Sequence, residues 1–152
     1  NKSKLEVEND LKILKKNLLM EKDYWKISAS HDGYSKIYGV IHERQIEFFP
    51  KNNKFVGQDK LVKKKNFKSS NFEIRFHLEP NTKIMKTQDG KTILIDIEDE
   101  GWKFTSQGYN INIETGLYFG KKNSFTENQN LFISGVTNKD EQVIEWKFEK
   151  IV

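Results

Sequence analysis

Alternation constrains this chain more than any other feature. Phe72, Ile74, Phe76 and Leu78 alternate with Glu73, Arg75, His77 and Glu79, the pattern of a strand with one face buried and the other wet. Pro80 follows and ends it, because proline cannot donate to the ladder. The same period recurs along the chain. Trp25, Ile27 and Ala29 share one face of Tyr24–Ala29, and Trp146 and Phe148 alternate with Lys147 and Glu149. Ile111/Ile113, Leu117/Phe119 and Leu131/Ile133 supply further short strands. Residues 83–87 and 92–97 flank Gln88-Asp89-Gly90-Lys91 and read as a hairpin, with Asp-Gly supplying the positive φ of a tight turn. Glu98-Asp99-Glu100-Gly101 forms a second turn with Gly near its end, leading into Trp102-Lys103-Phe104-Thr105. Roughly ten or more short strands with regular turn signals predict an all-β, antiparallel sandwich. Trp25, Trp102 and Trp146 read as core residues. Leu11, Leu14 and Leu18 recur near helical spacing, but their neighbours favour a strand with an irregular arm.

Length and composition narrow the function classes. At 152 residues, against about 150 per domain, the chain reads as one domain able to bury a core without staples. Its N-terminal arm is expected at about residues 1–22. The absence of Cys excludes a disulfide framework, a thiolate zinc site and a cysteine nucleophile, and leaves the redox compartment open. No run of 18 apolar residues is present to span a bilayer as a helix. No basic-then-apolar signal segment opens the chain. It begins with Asn1 rather than Met, so a processed protein or a piece of a longer one is expected. The net charge of +4 comes mostly from Lys, with Arg only at 44 and 75. Residues 1–76 carry a balance of +7 and the remainder −3. Lys60, Lys63, Lys64, Lys65 and Lys68 supply part of that excess, either as a polyanion contact or as a solvated loop.

Generic catalytic motifs are missing: there is no P-loop, dinucleotide fingerprint, nucleophile elbow or HExxH. Three polar clusters remain. Ser30-His31-Asp32-Gly33-Tyr34 follows a strand, where sandwiches carry binding groups. His31 titrates near neutrality, Tyr34 offers a phenol, and Asp32 is suited to orient an imidazole or bind a cation. Asp-Gly is equally turn chemistry. In His42-Glu43-Arg44, His42 and Arg44 share a strand face, and Arg75-Phe76-His77 repeats the spacing. Arg in a Lys-dominated chain points to a partner that needs a planar fork, a carboxylate or sulfate in the protein or on a ligand. Glu43, Glu47 and Glu73 are the competing protein partners. With Asp32 or Asp59, the histidines offer donors for a divalent metal such as zinc.

The ordered series Ala29-Ser30-His31-Asp32-Gly33-Tyr34, Gly39-Val40-Ile41-His42-Glu43-Arg44, Val56-Gly57-Gln58-Asp59-Lys60-Leu61, Ile74-Arg75-Phe76-His77-Leu78-Glu79-Pro80, Gly101-Trp102-Lys103-Phe104 and Ile144-Glu145-Trp146-Lys147-Phe148 resembles the C-terminal part of heparinase II/III-family proteins. The closest type is the one common in alphaproteobacteria, and the likeness runs from about residue 24 to the end. The resemblance implies a β-sandwich that follows an α/α toroid in a bacterial polysaccharide lyase of the periplasm or cell envelope. Such lyases cleave beside a uronic acid by β-elimination. A base removes the C5 proton, a neutralised carboxylate stabilises the anion, and an acid protonates the leaving oxygen. Family members place much of that machinery in the toroid, and some bind a metal through His and Asp of the sandwich. Neither the toroid nor the His-containing segment that usually opens the sandwich is present in this sequence.

The resulting expectation is a sandwich domain with an anionic polysaccharide, such as a glycosaminoglycan, and the toroid of the same protein as its partners. His31, Asp32, Tyr34, His42, Arg44, Arg75 and His77 are its candidate substrate-binding residues, and alone it is expected to be inert. The alternative is a stand-alone carbohydrate-binding or protein-interaction sandwich. Nucleic acid is not an expected partner, because strictly alternating aromatics are buried rather than free to stack on bases.

Overall fold

A computed structural model describes residues 11–122 and 124–151. Among the described residues eleven antiparallel strands form two sheets, the sandwich that the alternation predicts. In chain order the strands are β1 (Ile13–Glu21), β2 (Tyr24–His31), β3 (Val40–Phe49), β4 (Lys54–Lys63), β5 (Asn71–His77), β6 (Lys83–Lys86), β7 (Thr92–Ile97), β8 (Glu100–Gln107), β9 (Ile111–Lys121), β10 (Ser124–Val136) and β11 (Glu141–Lys150). The large sheet runs β1-β2-β3-β4-β11-β8-β7-β6, and the small one β5-β10-β9. A short α-helix, α1 (Ser35–Tyr38), lies between β2 and β3, and a single 3-10 turn, Pro50–Asn52, joins β3 to β4. No helix among the described residues is long and apolar enough to cross a membrane.

The expected arm resolves in part. Residues 1–10 lie outside the described residues, whereas residues 13–21 form a full edge strand paired with β2. Leu14 and Leu18 therefore belong to a strand, as their neighbours favour. The Asp89-Gly90 turn is as expected, with Gly90 at φ +69°. The next turn differs. Glu98 and Asp99 themselves take positive φ, 48° and 66°, while Gly101 sits inside β8. The left-handed conformation thus falls on the two residues between the strand ends.

The core lies where the small sheet faces the middle of the large one. Ile74 of β5, Leu131 and Ile133 of β10 and Ile111 of β9 pack with Leu61, Ile93, Ile95, Phe104, Ile144 and Trp146. The Phe76 ring meets Phe104 at 4.6 Å and Trp146 at 4.9 Å between centroids. Trp146 is buried, whereas Trp25 and Trp102 are half-buried, with Trp102 stacked on Phe148. Three strands cannot cover eight, so the core-facing side of β1 and β2 stays open. Ile27 faces that way and is 44% exposed.

Gly57 lies beneath the Trp146 ring, opposite it across the β4–β11 ladder. A Cβ built there would fall inside the indole. Gly57→Ala therefore has to displace Trp146 in a packed core. The expected loss is about 1–3 kcal/mol, as for other overpacked cores, measured by urea unfolding. A wild-type midpoint for this variant would refute the packing argument.

Candidate functional site

The site grows out of the alternation on β2, β3 and β4. Register pairs His31 with His42, Arg44 with Asp59 and Ile46 with Gly57. This places His31, His42, Arg44 and Asp59 on the core-facing side of three adjacent strands. Asp59 is fully buried, and it accepts four hydrogen bonds. His42 Nε2 and Arg44 Nε both reach Oδ1 at 2.7 Å. Arg44 Nη2 reaches Oδ2 at 3.2 Å, and the Trp146 indole N–H reaches it at 2.9 Å. Burial alone would raise the carboxyl's pKa, but the bonds from His42, Arg44 and Trp146 outweigh it and leave the value lowered.

The imidazoles extend this cluster outward in one fixed direction. The Gly33 backbone N–H donates to His31 Nδ1 at 3.2 Å. A backbone N–H only donates, so His31 carries its proton on Nε2 and gives it to His42 Nδ1 at 3.1 Å. His42 in turn carries its proton on Nε2, facing Asp59. Both rings are neutral in this arrangement, and all four ring nitrogens are engaged. The His31 pKa is lowered, first by burial and then by His42, with Asp32 opposing.

The donors do not suit the metal that the sequence left open. The nitrogens of His31 and His42 are committed to each other, to Gly33 and to Asp59, and His77 lies on the other sheet. Among the described residues no group of three or more His, Asp or Glu is arranged to hold an ion.

A cleft of about 490 Å³ opens beside the cluster, between β2–β3 and the edge strand β5. His31, Tyr34, Tyr38, His42, Arg44, Glu73 and Arg75 line it, and its volume is in the range of small-ligand pockets. Tyr34, 48% exposed, stands beside His31 with ring centroids 5.4 Å apart. Arg44 spends Nε and Nη2 on Asp59, and its side chain is 37% exposed at the cleft. Glu43 and Glu47 are not its partners.

The tyrosine wall is set by α1. Gly39 ends this helix at φ +66°, donating to the Ser35 carbonyl at 3.1 Å. A side chain at Gly39 would meet the Asn66–Phe67 backbone. The Lys-rich loop holds the helix from below, with Lys64 N–H donating to Gly39 at 2.8 Å and Lys68 N–H to Tyr38 at 3.0 Å. Lys60 pairs with Glu141 and Lys63 with Asp140. The Lys run thus braces the cleft wall through its backbone.

The remaining candidates lie apart. Asp32 turns away to accept the Lys12 backbone N–H at 2.9 Å. Arg75 points to the outer face of β5, where Glu73 and Glu114 both bind it, so only its strand edge meets the cleft. His77 shares that outer face and bonds Asn130 at 3.0 Å. Tyr38 joins the site without a distinguishing sequence signal, while Glu73 faces outward with Arg75 and meets the cleft only along its strand edge. Asp59 carries one, a carboxylate on the face shared by Gly57 and Leu61.

Two stability predictions follow from this geometry. Asp59→Asn removes the charge opposite Arg44 and one acceptor of His42. A loss of about 2–4 kcal/mol is expected, below that of a fully buried pair because Arg44 reaches water. Asp59 and His31 have folded pKa values below their unfolded ones. The unfolded chain therefore binds more protons, and stability is lost as pH falls. The loss begins below about pH 6.5 through His31 and continues below about pH 3.9 through Asp59. Urea titrations across pH test this, and His31→Asn should flatten the upper part. An unchanged upper part in that variant would refute the assignment to His31.

Comparison with known proteins places the chain. The solved heparan sulfate lyase HepC from Pedobacter heparinus superposes with a TM-score of 0.77 at 11% identity, covering 92% of this chain and 21% of that one. A heparinase III gene product superposes at 0.74 and 14% identity, covering 93% and 22%. A second heparinase III structure gives 0.66 at 14%, covering 93% and 21%. These likenesses show a shared fold, and the chain spans about a fifth of the length of these structures. No curated protein matches the sequence. The family model described as heparinase II/III-like, C-terminal, matches residues 4–147. Nearly the whole sequence, including the edge strand β1, thus falls within that match, and the chain belongs to the heparinase II/III-like, C-terminal family.

Proposed function

We propose that this chain is the β-sandwich wall of a polysaccharide lyase, of the type common in alphaproteobacteria, that cleaves uronate-containing anionic glycans by β-elimination. A helical toroid of the same protein closes the other side of the substrate path and supplies most of the acid–base groups. The observation that carries this reading is the cleft, which the part-exposed Arg44 guanidinium and Tyr34 line together with a neutral histidine pair.

Each group has a limited part. Arg44 holds a uronate carboxylate, and the neutralised carboxylate accepts the charge that develops when C5 loses its proton. Asp59 fixes the plane of Arg44 and the orientation of His42. Tyr34 offers a phenol to the sugar or to the departing oxygen. His31 and His42 shape the wall while their nitrogens stay engaged. Asp32, Arg75 and His77 have no substrate role in this reading.

The isolated chain is expected to be inert. Incubated with uronate glycans it should produce no ultraviolet absorbance from unsaturated product, whereas the protein carrying the sandwich and the toroid together should produce it. Turnover by the isolated chain would overturn the division of labour. No turnover by the longer protein on any uronate glycan would overturn the lyase reading.

A further inference from the structure

We infer that the tip of the β9–β10 hairpin is a lipid-facing anchor, which seats the protein on an anionic phospholipid surface. β5 pairs with β10 only from Asn130 to Val136. Beyond that point β9 and β10 continue as a two-stranded ribbon to the turn at Lys122. At the usual rise per residue the ribbon runs roughly 20 Å past the end of β5. Its stalk is polar: Glu114 faces Asn130, Thr115 faces Gln129 and Gly116 faces Asn128. Its tip is not. Phe119 is 71% exposed, Phe125 63% and Leu117 52%, and the two phenyl rings lie against each other with centroids 6.1 Å apart.

The polar stalk cuts these rings off from the core, so they are not its margin, and adjoining exposed apolar side chains mark a surface of interaction. A bulge builds the tip. Lys121 pairs with Ser124 and Tyr118 with Thr126, so Phe119 and Gly120 together face Phe125. A side chain at Gly120 would run into the Tyr118 ring, which is itself 40% exposed. Three aromatic rings thus crowd the end of the ribbon, beside the exposed Lys122.

Shape decides the partner. A stable protein contact covers about 800 Å² on each side, and a convex tip of four apolar side chains cannot supply that area. A bilayer surface sets no such minimum. Aromatic rings enter its headgroup boundary, and a lysine beside them meets anionic headgroups. The cleft lies at the other end of β10, beside Asn71 and Thr137, roughly 40 Å along the strand from the turn. Anchored by the hairpin, the protein keeps its cleft away from the lipid.

The test is flotation of this chain with vesicles of phosphatidylcholine containing about one-third phosphatidylglycerol. These vesicles should capture the protein, and salt should weaken the capture. Phe119→Ser combined with Phe125→Ser should lower it about tenfold or more, since two rings leave the interface. Lys122→Gln should lower it about fivefold. Both variants should keep the wild-type urea midpoint, because the substituted side chains lie outside the core. Combined Lys64→Gln, Lys65→Gln and Lys68→Gln should cost less than Lys122→Gln alone. Phe119→Trp should shift its emission to the blue on mixing with the vesicles, whereas wild-type emission from Trp25, Trp102 and Trp146 should not move.

No capture by the mixed vesicles would overturn the inference. So would capture that survives the loss of both rings, or capture abolished by the triple lysine variant, which would assign it to the loop beneath α1. If the double phenylalanine variant unfolds early, Phe119→Trp decides, and the absence of a blue shift refutes insertion. Self-association of the wild type in sedimentation, lost in the double variant, would give the tip to a second copy and overturn the lipid assignment.

Discussion

The carboxylate of Asp59 is the constraint around which the rest is arranged. An ionised group with no exposure to water survives only with its charge matched and its oxygens occupied. Here four donors do this, from β3 and from β11. The arrangement fixes the guanidinium plane of Arg44, the tautomer of His42 and, through His42, that of His31. It also sets where Trp146 lies over Gly57. A core contact and a binding surface are therefore properties of one hydrogen-bonded group, and neither changes without the other.

The second organising fact is the mismatch between the sheets. The three-stranded layer packs over the middle of the eight-stranded one, and the cleft opens where its edge strand β5 falls short of β2 and β3. Polar side chains on a core-facing strand surface would be costly under a complete second layer. They are tolerated here because coverage ends beside them. Arg44 sits at this boundary, with its inner edge against Asp59 and its outer edge toward water, and with the Phe76 ring centroid 6.0 Å away.

The fold was legible in the sequence because two-residue periodicity reports directly on which side chains share a face. That is why Phe72–Leu78 and the Asp89-Gly90 hairpin are read correctly. The same logic shows that His42 and Arg44 lie together, and that Arg75 and His77 lie together. It does not show that the two pairs lie on opposite-facing surfaces of different sheets, since that depends on pairing between distant strands. Asp59 shows the limit well. Its parity marks it as facing inward, but only the register of β3 against β4 reveals Arg44 as its partner. The helix α1 was missed because its four residues hold their shape through tertiary bonds to the Lys64–Lys68 loop, which leave no local periodicity. Glu98 and Asp99 were missed as left-handed residues because the adjacent Gly101 is the stronger local signal.

The position of β11 has a consequence for how the protein is made. The last of the described strands lies in the interior of the large sheet, joined to β4 on one side and β8 on the other. Until it arrives, β1–β4 and β6–β8 are separate half-sheets with unpaired facing edges, and Asp59 lacks its Trp146 donor. Contacts across 87 residues, such as that donor to Asp59, complete the structure. Such long-range closure is slow, and open edges are prone to pair wrongly. On the ribosome the large sheet cannot close until β11 has left the exit tunnel, however early β1–β4 and β6–β8 emerge.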